Sequence, residues 1–289
     1  MFRKVRLQAN AKLNLGLDII GKREDGYHLL ESVMQSVNLY DTVAVCRTKK
    51  EGITVRCEKV AVAQEKNIAY KAATAFFNEV GLPQNTGISI KIIKRIPSQA
   101  GMGGGSADAA ATLVALNRLF KTKLSESQLC KIGEKVGADV PFCICGGTRL
   151  VRGIGEIITK LDDCADCYFV IAKGDDGVST KEAYECIDKA QKLVSLRTEK
   201  VIEAICSGNF EALKGRLVNA FEQCTEIRDV TDIKQILLQN GAVEAAMTGS
   251  GSAVFGIFTN RKQAKQCEKI LKQKYSFVCT SRPCISGIH

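Results

Sequence analysis

The segment Pro97-Ser98-Gln99-Ala100-Gly101-Met102-Gly103-Gly104-Gly105-Ser106-Ala107 constrains the fold more than any other in the chain. It follows Gly87 to Ile96, which reads as a strand with Ile88, Ile90 and Ile92 on one face, and it precedes Ser106 to Phe120, where Ala109, Leu113, Leu116 and Phe120 form a helical stripe. Glycine lets a backbone adopt positive φ and approach a ligand closely. A helix start adds unpaired N–H groups and the positive end of the helix dipole. A strand, a glycine-rich loop and a helix in this order predict an α/β unit with an anion site suited to phosphate.

The two common phosphate loops do not fit. Gly105-Ser106 lacks the lysine of a Walker loop. Gly101-x-Gly103 matches a dinucleotide fingerprint only in part, and Lys121 to Ser125 supplies no acidic residue at a following strand end. A second glycine segment, Thr248-Gly249-Ser250-Gly251-Ser252, is by itself a turn between strands; beside the first loop it would add backbone donors or steady it.

The remaining pattern mixes strands and helices. Lys12 to Ile20 alternates Leu13, Leu15, Leu17 and Ile19 with polar residues and glycine, as a half-buried strand does. Val33 to Val45 and Ile53 to Val55 read similarly. Asn67 caps a helix over 68–80 that Gly81 and Pro83 stop. A helix from Ser125 to Val136 follows, and strand character returns over 146–160 around the turn Gly153-Ile154-Gly155. Helices are expected over 181–192, 199–206, 211–224, 232–239 and 262–274, with short strands near Val243, Val254 and Phe277. At 289 residues the chain suits about two domains, and a gentle composition shift puts their boundary near residue 160, giving 1–160 and 161–289.

Composition narrows the function classes. Lys+Arg 41 against Asp+Glu 31 gives +10, but the basic residues are spread out, with pairs no longer than Lys49-Lys50 and Lys94-Arg95 and no aromatic-interleaved stripe. Solvated surface, or attraction for an anionic small substrate, explains the charge better than nucleic-acid binding. No window reaches the roughly 18 apolar residues of a membrane span. Met1 to Arg6 interleaves charges with apolar residues, unlike a secretory signal, so a cytoplasmic protein is expected. The odd number of cysteines, 13, fits reduced thiols. Cys143-x-Cys145 is too closely spaced for a zinc knuckle, and with Cys164-x-x-Cys167 makes a weak metal signal; core thiols fit the apolar run from Val140 to Cys145 better. No protein metal site is expected.

Two further residues stand out. Asp139 lies between Gly137-Ala138 and Val140-Pro141-Phe142, where a carboxylate needs a partner or a function; a helix N-cap and a reactive carboxylate both fit. Lys12 lies mid-strand, and alternation alone places it on an exposed face.

Ala11-Lys12-Leu13-Asn14-Leu15, the loop from Pro97 to Ala107, and Thr248 to Ser252 together resemble the GHMP kinase superfamily. Asp25-Gly26-Tyr27-His28, Gly137 to Phe142 and Gly177-Val178-Ser179-Thr180 resemble the branch whose acceptor is a cytidine diphosphate conjugate of a methylated polyol, in non-mevalonate isoprenoid synthesis. The resemblance implies a two-domain α/β (α+β) GHMP fold with a ribosomal-protein-S5-domain-2-like first domain. It implies ATP in the glycine loop, with Asn67 near the nucleoside and Mg²⁺ carried mainly by the ATP phosphates. It implies Asp139 as catalytic base paired with Lys12, and Asn14 placing the acceptor hydroxyl. Tyr27 and His28 would hold the cytosine, with Thr180 nearby, the latter equally explained as a helix cap. One departure is visible: Ala107 stands where the family usually has a second serine after the glycines. The partner implied is a small molecule. Another GHMP kinase with a different acceptor, or an RNA-binding protein on an S5-like fold, are the alternatives; a ring pair for a base tells against the former, and a salt-sensitive gel shift with unrelated RNA would mark the latter.

Overall fold

The computed structural model describes residues 3–58, 64–177, 179–190 and 193–289. Met1 and Phe2, Val178, and Gln191-Lys192 at the end of the helix expected over 181–192 lie outside the described residues.

Strand β1 (Lys4–Lys22) turns at Gly26, φ +88°, into β2 (His28–Arg47), and the two pair antiparallel from Lys4↔Cys46 to Lys22↔His28. The far edge of β2 is shared: Thr42 to Arg47 pairs β4 (Ile88–Ile93), and Leu30 to Gln35 pairs β5 (Thr148–Gly153). β3 (Ile53–Glu58) adds to β4 in parallel, and β6 (Ile157–Lys160) adds antiparallel to β5. Helices α1 (Ile68–Val80), α2 (Gly104–Phe120), α3 (Glu126–Glu134) and α4 (Val140–Cys145) accompany this sheet.

The local signals hold where they are strong. Asn67 Oδ1 accepts from Ala69 N and Gly81 closes α1 in the left-handed region. Ser125 and Gln128 form a reciprocal capping box on α3.

The expected half-exposed β1 is corrected: from Leu13 to Asp18 both faces are buried. Helix α2 packs against β1, and so do α6 (Thr198–Ser207) and α7 (Ala220–Cys224) of the second half, so the polar positions Lys12, Asn14 and Asp18 are buried. Period 2 reports which residues share a face, not whether that face is wet.

The second sheet has the order β10-β7-β9-β8, all antiparallel, from β7 (Tyr168–Lys173), β8 (Glu244–Met247), β9 (Val254–Phe258) and β10 (Phe277–Ser281). Helices α5 (Thr180–Lys189), α6 (Thr198–Ser207), α7 (Ala220–Cys224) and α8 (Arg228–Gln239) lie between β7 and β8, and α9 (Arg261–Leu271) between β9 and β10.

Two differences from the sequence pattern have clear causes. β7 was not expected, because Tyr168-Phe-Val-Ile-Ala172 is a continuous apolar run buried on both faces, and such a run carries no alternation. The single helix expected over 211–224 is broken: a 3₁₀ turn, Phe210–Leu213, precedes Gly215 at φ +67°, and α7 begins only after Asn219. Asn219 Oδ1 caps Phe221 N and Glu222 N, while its Nδ2 donates to Met247 O (2.7 Å) and Gly249 O (2.9 Å), so a long-range demand fixes where α7 starts.

The last residues return to the first sheet. Gln8 and His289 exchange backbone bonds, and Gly287 packs so close to the end of α4 that a Cβ there would lie 1.9 Å from Cys143 O. Cys143 and Cys167 are buried, whereas Cys145 and Cys164 are half-buried; Cys145 Sγ lies 3.6 Å from Cys130 Sγ. Among the described residues no group of three or more His, Cys, Asp or Glu is placed to hold a metal ion, and no helix is long and apolar enough to cross a membrane.

Candidate active site

A cleft of about 1090 Å³ opens between the two sheets' loops. Pro97 through Ser106 line it in one unbroken run, as do Lys12, Asn14, Tyr27, His28, Asn67, Asp139 and Thr180. Ala107, the last residue of the expected ATP segment, is not among the lining residues, and its side chain is fully buried in α2.

The helix behind the loop starts two residues earlier than its apolar stripe suggests, inside the glycines. Gly103 is the N-cap of α2 at φ +68°, and no side chain caps it. The first helical bond runs from Ala107 N to Gly103 O (2.8 Å). The N–H groups of Gly104, Gly105 and Ser106 therefore have no partner among the described residues. Unpaired donors at the positive end of a long helix form an anion site.

The second glycine segment steadies the first. Thr248 Oγ1 accepts from Asn14 N (2.9 Å), Ala253 N donates to Ala100 O (3.3 Å), and the backbone of Gly101 lies directly against Thr248. Gly249, Ser250 and Gly251 complete that rim of the cleft.

Lys12 and Asp139 meet at the loop. Lys12 Nζ lies 3.7 Å from Asp139 Oδ2, with the Lys12 side chain 4% and the Asp139 side chain 34% exposed. Asp139 stands at the N-cap position of α4 but makes no side-chain cap bond, so its carboxylate remains free for the cleft. Lys12 Nζ also donates to Asn14 Oδ1; Asn14 Nδ2 donates to Ser32 Oγ (2.8 Å), which donates to Gly16 O (2.6 Å). Both ends of the Asn14 amide are thus occupied, and the residue orients Lys12. Gly103 has a steric reason to be glycine as well: a Cβ there would sit 3.1 Å from Lys12 Cγ and 3.7 Å from Asp139 Oδ2.

The aromatic wall differs from the expected Tyr27–His28 pair. His28 stacks on Tyr184 of α5 (4.8 Å between centroids, 22° between planes), and Tyr184 meets Phe221 edge-on at 4.9 Å. Tyr27 stands at the rim, 61% exposed. Burial, then the charge of Asp139, push the Tyr184 phenol above its usual range. Thr180 is not the cap of α5; Ser179 is, in a capping box with Glu182, and Thr180 Oγ1 lies 3.2 Å from Ser250 Oγ.

Sequence reasoning missed the polar group under the loop. Lys94, expected at the surface, is half-buried and bonded to Asp41 of β2 and Asp108 of α2, the latter at 2.7 Å. Asp41 also accepts from Ile96 N at 2.9 Å and from Arg95 N, so three segments are tied where β4 enters the loop. Asp108 Oδ1 is buried without a partner. Burial pushes the Asp108 carboxyl from 3.8 up to about 7, against the pull of Lys94. A carboxyl that binds its proton more tightly folded than unfolded loses stability as pH rises from its unfolded to its folded value. Asp108→Asn, which keeps the shape and removes the titration, should therefore gain in melting temperature relative to the parent between about pH 4 and 7. Parallel melting-temperature profiles in that range would show that Asp108 does not titrate there.

Residues 67–147 match the GHMP kinases N terminal domain, and residues 201–276 the GHMP kinases C terminal domain. The 4-diphosphocytidyl-2-C-methyl-D-erythritol kinase of Clostridium tetani is 43% identical over 96% of this chain and 99% of its own length. That of Clostridium acetobutylicum is 41% identical over 96% and 99%. A crystal structure of a 4-(cytidine 5'-diphospho)-2C-methyl-D-erythritol kinase superposes with a TM-score of 0.79 at 29% identity, covering 96% of this chain and 99% of that one. The homoserine kinase of Cytophaga hutchinsonii shares the fold at a TM-score of 0.80 and 20% identity, covering 99% and 96%. The class is thereby defined: a two-domain GHMP kinase, an ATP-dependent phosphotransferase for small molecules. Within that class the chain belongs to the 4-diphosphocytidyl-2-C-methyl-D-erythritol kinase family.

Proposed function

We propose that this kinase transfers the γ-phosphoryl group of ATP to the 2-hydroxyl of 4-diphosphocytidyl-2-C-methyl-D-erythritol, giving the 2-phosphate and ADP, in non-mevalonate isoprenoid precursor synthesis. The observation that supports this most is one cleft that joins the uncapped start of α2, the Lys12–Asp139 pair and an aromatic wall. Phosphoryl transfer depends on placement and charge neutralisation more than on covalent chemistry. The backbone N–H groups of Gly104 to Ser106 hold the phosphates, and Asn67 borders the nucleoside. Asp139 accepts the proton of the acceptor hydroxyl as the new P–O bond forms, while Lys12 steadies the developing alkoxide and the incoming phosphoryl charge. Asn14 keeps the Lys12 ammonium aimed. The Ser106 hydroxyl and the Asp108 carboxylate line the cleft beside these N–H groups and would border an Mg²⁺ carried by the ATP phosphates, which would supply neutralisation of phosphate charge. The domain boundary we place near residue 160, after β6 closes the first sheet and before β7 opens the second.

Tyr27 and Tyr184 supply flat faces for the cytosine, Thr180 stands beside them, and the ring edge of His28 supplies polar contact. The test is a panel of acceptor alcohols, including homoserine and mevalonate, assayed by ADP release. Only the cytidine diphosphate conjugate should support turnover. Tyr27→Ala, an exposed site that the core does not need, should raise the KM for that acceptor by about five- to 150-fold, the worth of one stacked base, and leave the KM for ATP unchanged. Equal loss for both ligands would remove Tyr27 from the acceptor site.

A further inference from the structure

Asp188 lies on α5, lines the same cleft, and reaches across to the β1–β2 hairpin. Its Oδ1 accepts from His28 Nε2 and from Lys22 Nζ, each at 2.8 Å, and its Oδ2 accepts from Lys22 Nζ at 2.9 Å. These two donors, Lys22 first, hold the Asp188 carboxyl below the usual carboxylate range. An ionised carboxylate only accepts, so His28 Nε2 carries the proton. In the neutral imidazole the remaining nitrogen, Nδ1, is then a pure acceptor. The stack on Tyr184 fixes the plane of the ring. His28 lines the cleft, and among the described residues its Nδ1 has no hydrogen-bond partner.

We propose that Asp188 is a specificity-determining positioning residue: by holding His28 in the Nε2–H tautomer it keeps Nδ1 an acceptor for the 4-amino group of cytosine and turns away the 4-oxo group of uracil. The inference rests on the cytidine reading of the cleft. Cytosine and uracil have nearly the same shape and stack alike, so the aromatic wall cannot separate them. They differ in that one presents a donor and the other an acceptor at ring position 4. An acceptor facing an acceptor leaves both unpaired, and sites of this kind discriminate far more strongly than a change of one methylene. Were the tautomer reversed, the preference would reverse with it.

The experiment has two arms, each with the full chain, using Asp188→Leu and Asp188→Asn. The asparagine carbonyl can stand where Oδ1 stands and accept from Nε2–H; the leucine cannot, and Lys22, 46% exposed, remains solvated without its partner. The chain has only 2 histidines, so an imidazole ¹⁵N spectrum at pH 8 reports His28 with little overlap. The parent and Asp188→Asn should show Nδ1 unprotonated; Asp188→Leu should show a mixture of tautomers. In the kinetic arm, the cytidine and uridine diphosphate conjugates of the same polyol are compared. Asp188→Leu should lower the cytidine-over-uridine ratio of kcat/KM by about tenfold, through KM, with the KM for ATP unchanged; Asp188→Asn should keep the parent ratio. The inference is overturned if the leucine variant keeps the parent ratio, or if the parent spectrum shows Nδ1 protonated. A parent enzyme active on neither conjugate overturns the cytidine reading first, and this inference with it. A parent active on the cytidine conjugate with an unmoved ratio in Asp188→Leu overturns only the role of Asp188.

Discussion

Asp139→Asn should lower kcat by about 10²–10⁴-fold, the usual contribution of a positioned general base, while ATP binds as before. The asparagine keeps the size of the side chain and removes the charge and the basic oxygen. Phosphate binding should survive because the donors there are backbone N–H groups at the start of α2, which do not involve position 139. The fold should survive as well, because the Asp139 side chain makes no cap bond to α4 and is 34% exposed. Lys12→Met should cost turnover through the other half of the pair. With Nζ 3.7 Å from Asp139 Oδ2, the two groups act on the same hydroxyl, and the double variant should be little worse than the worse single one. Losses that multiply would show two independent roles. Near-parental turnover in Asp139→Asn would remove the residue as base.

The second large effect belongs to Gly101. Its φ is +67°, and a Cβ built there would lie 1.9 Å from Thr248 O, 2.9 Å from Thr248 C and 3.0 Å from Gly251 N. A left-handed alanine already costs about 1–2 kcal/mol. The collision is with backbone on both counts, so no side-chain rotation relieves it and the two glycine segments must separate. Gly101→Ala should therefore raise the Kd for ATP by about 100-fold or more and lower the melting temperature together, since a change of that size in binding is about 2.7 kcal/mol. Gly105→Ala is the control for the fold, and its melting temperature should stay at the parental value. Gly105 is not at positive φ, and its Cβ would touch only Ile68 Cγ2 at 3.4 Å, within the first turn of a helix where alanine is favourable. Isothermal titration with ATP, beside a thermal melt, separates the two variants. Parental ATP affinity in Gly101→Ala would mean that contact between the segments does not shape the site.

What could be read from the residues alone was local. Asn67 and Gly81 bracket α1 because a cap and a left-handed glycine act within one turn, and Ser125 with Gln128 marks α3 for the same reason. The glycine loop was legible as an anion site because its chemistry is backbone chemistry. Side chains that depend on distant partners were not. Lys12 and Asp139 are far apart in sequence, and alternation pointed Lys12 to water; only the family resemblance brought the two together. Lys94 looked like half of a surface pair until Asp41 and Asp108 closed on it. Tyr184 and Asp188 sit on an amphipathic helix whose periodicity gives them no distinction, and they gain meaning only when α5 packs beside His28. The broken helix at 211–224 shows the same limit, since Asn219 is held by Met247 and Gly249 from the other side of the second sheet's hairpin.

The most direct measurement is a ³¹P NMR time course with ATP, Mg²⁺ and 4-diphosphocytidyl-2-C-methyl-D-erythritol. A new phosphomonoester signal should grow in step with ADP, coupled to the carbon-2 position of the polyol, with the two diphosphate signals of the acceptor retained and no growth with Asp139→Asn. Release of inorganic phosphate without a new phosphomonoester, or a phosphomonoester formed equally well on homoserine or mevalonate, would contradict the proposed reaction.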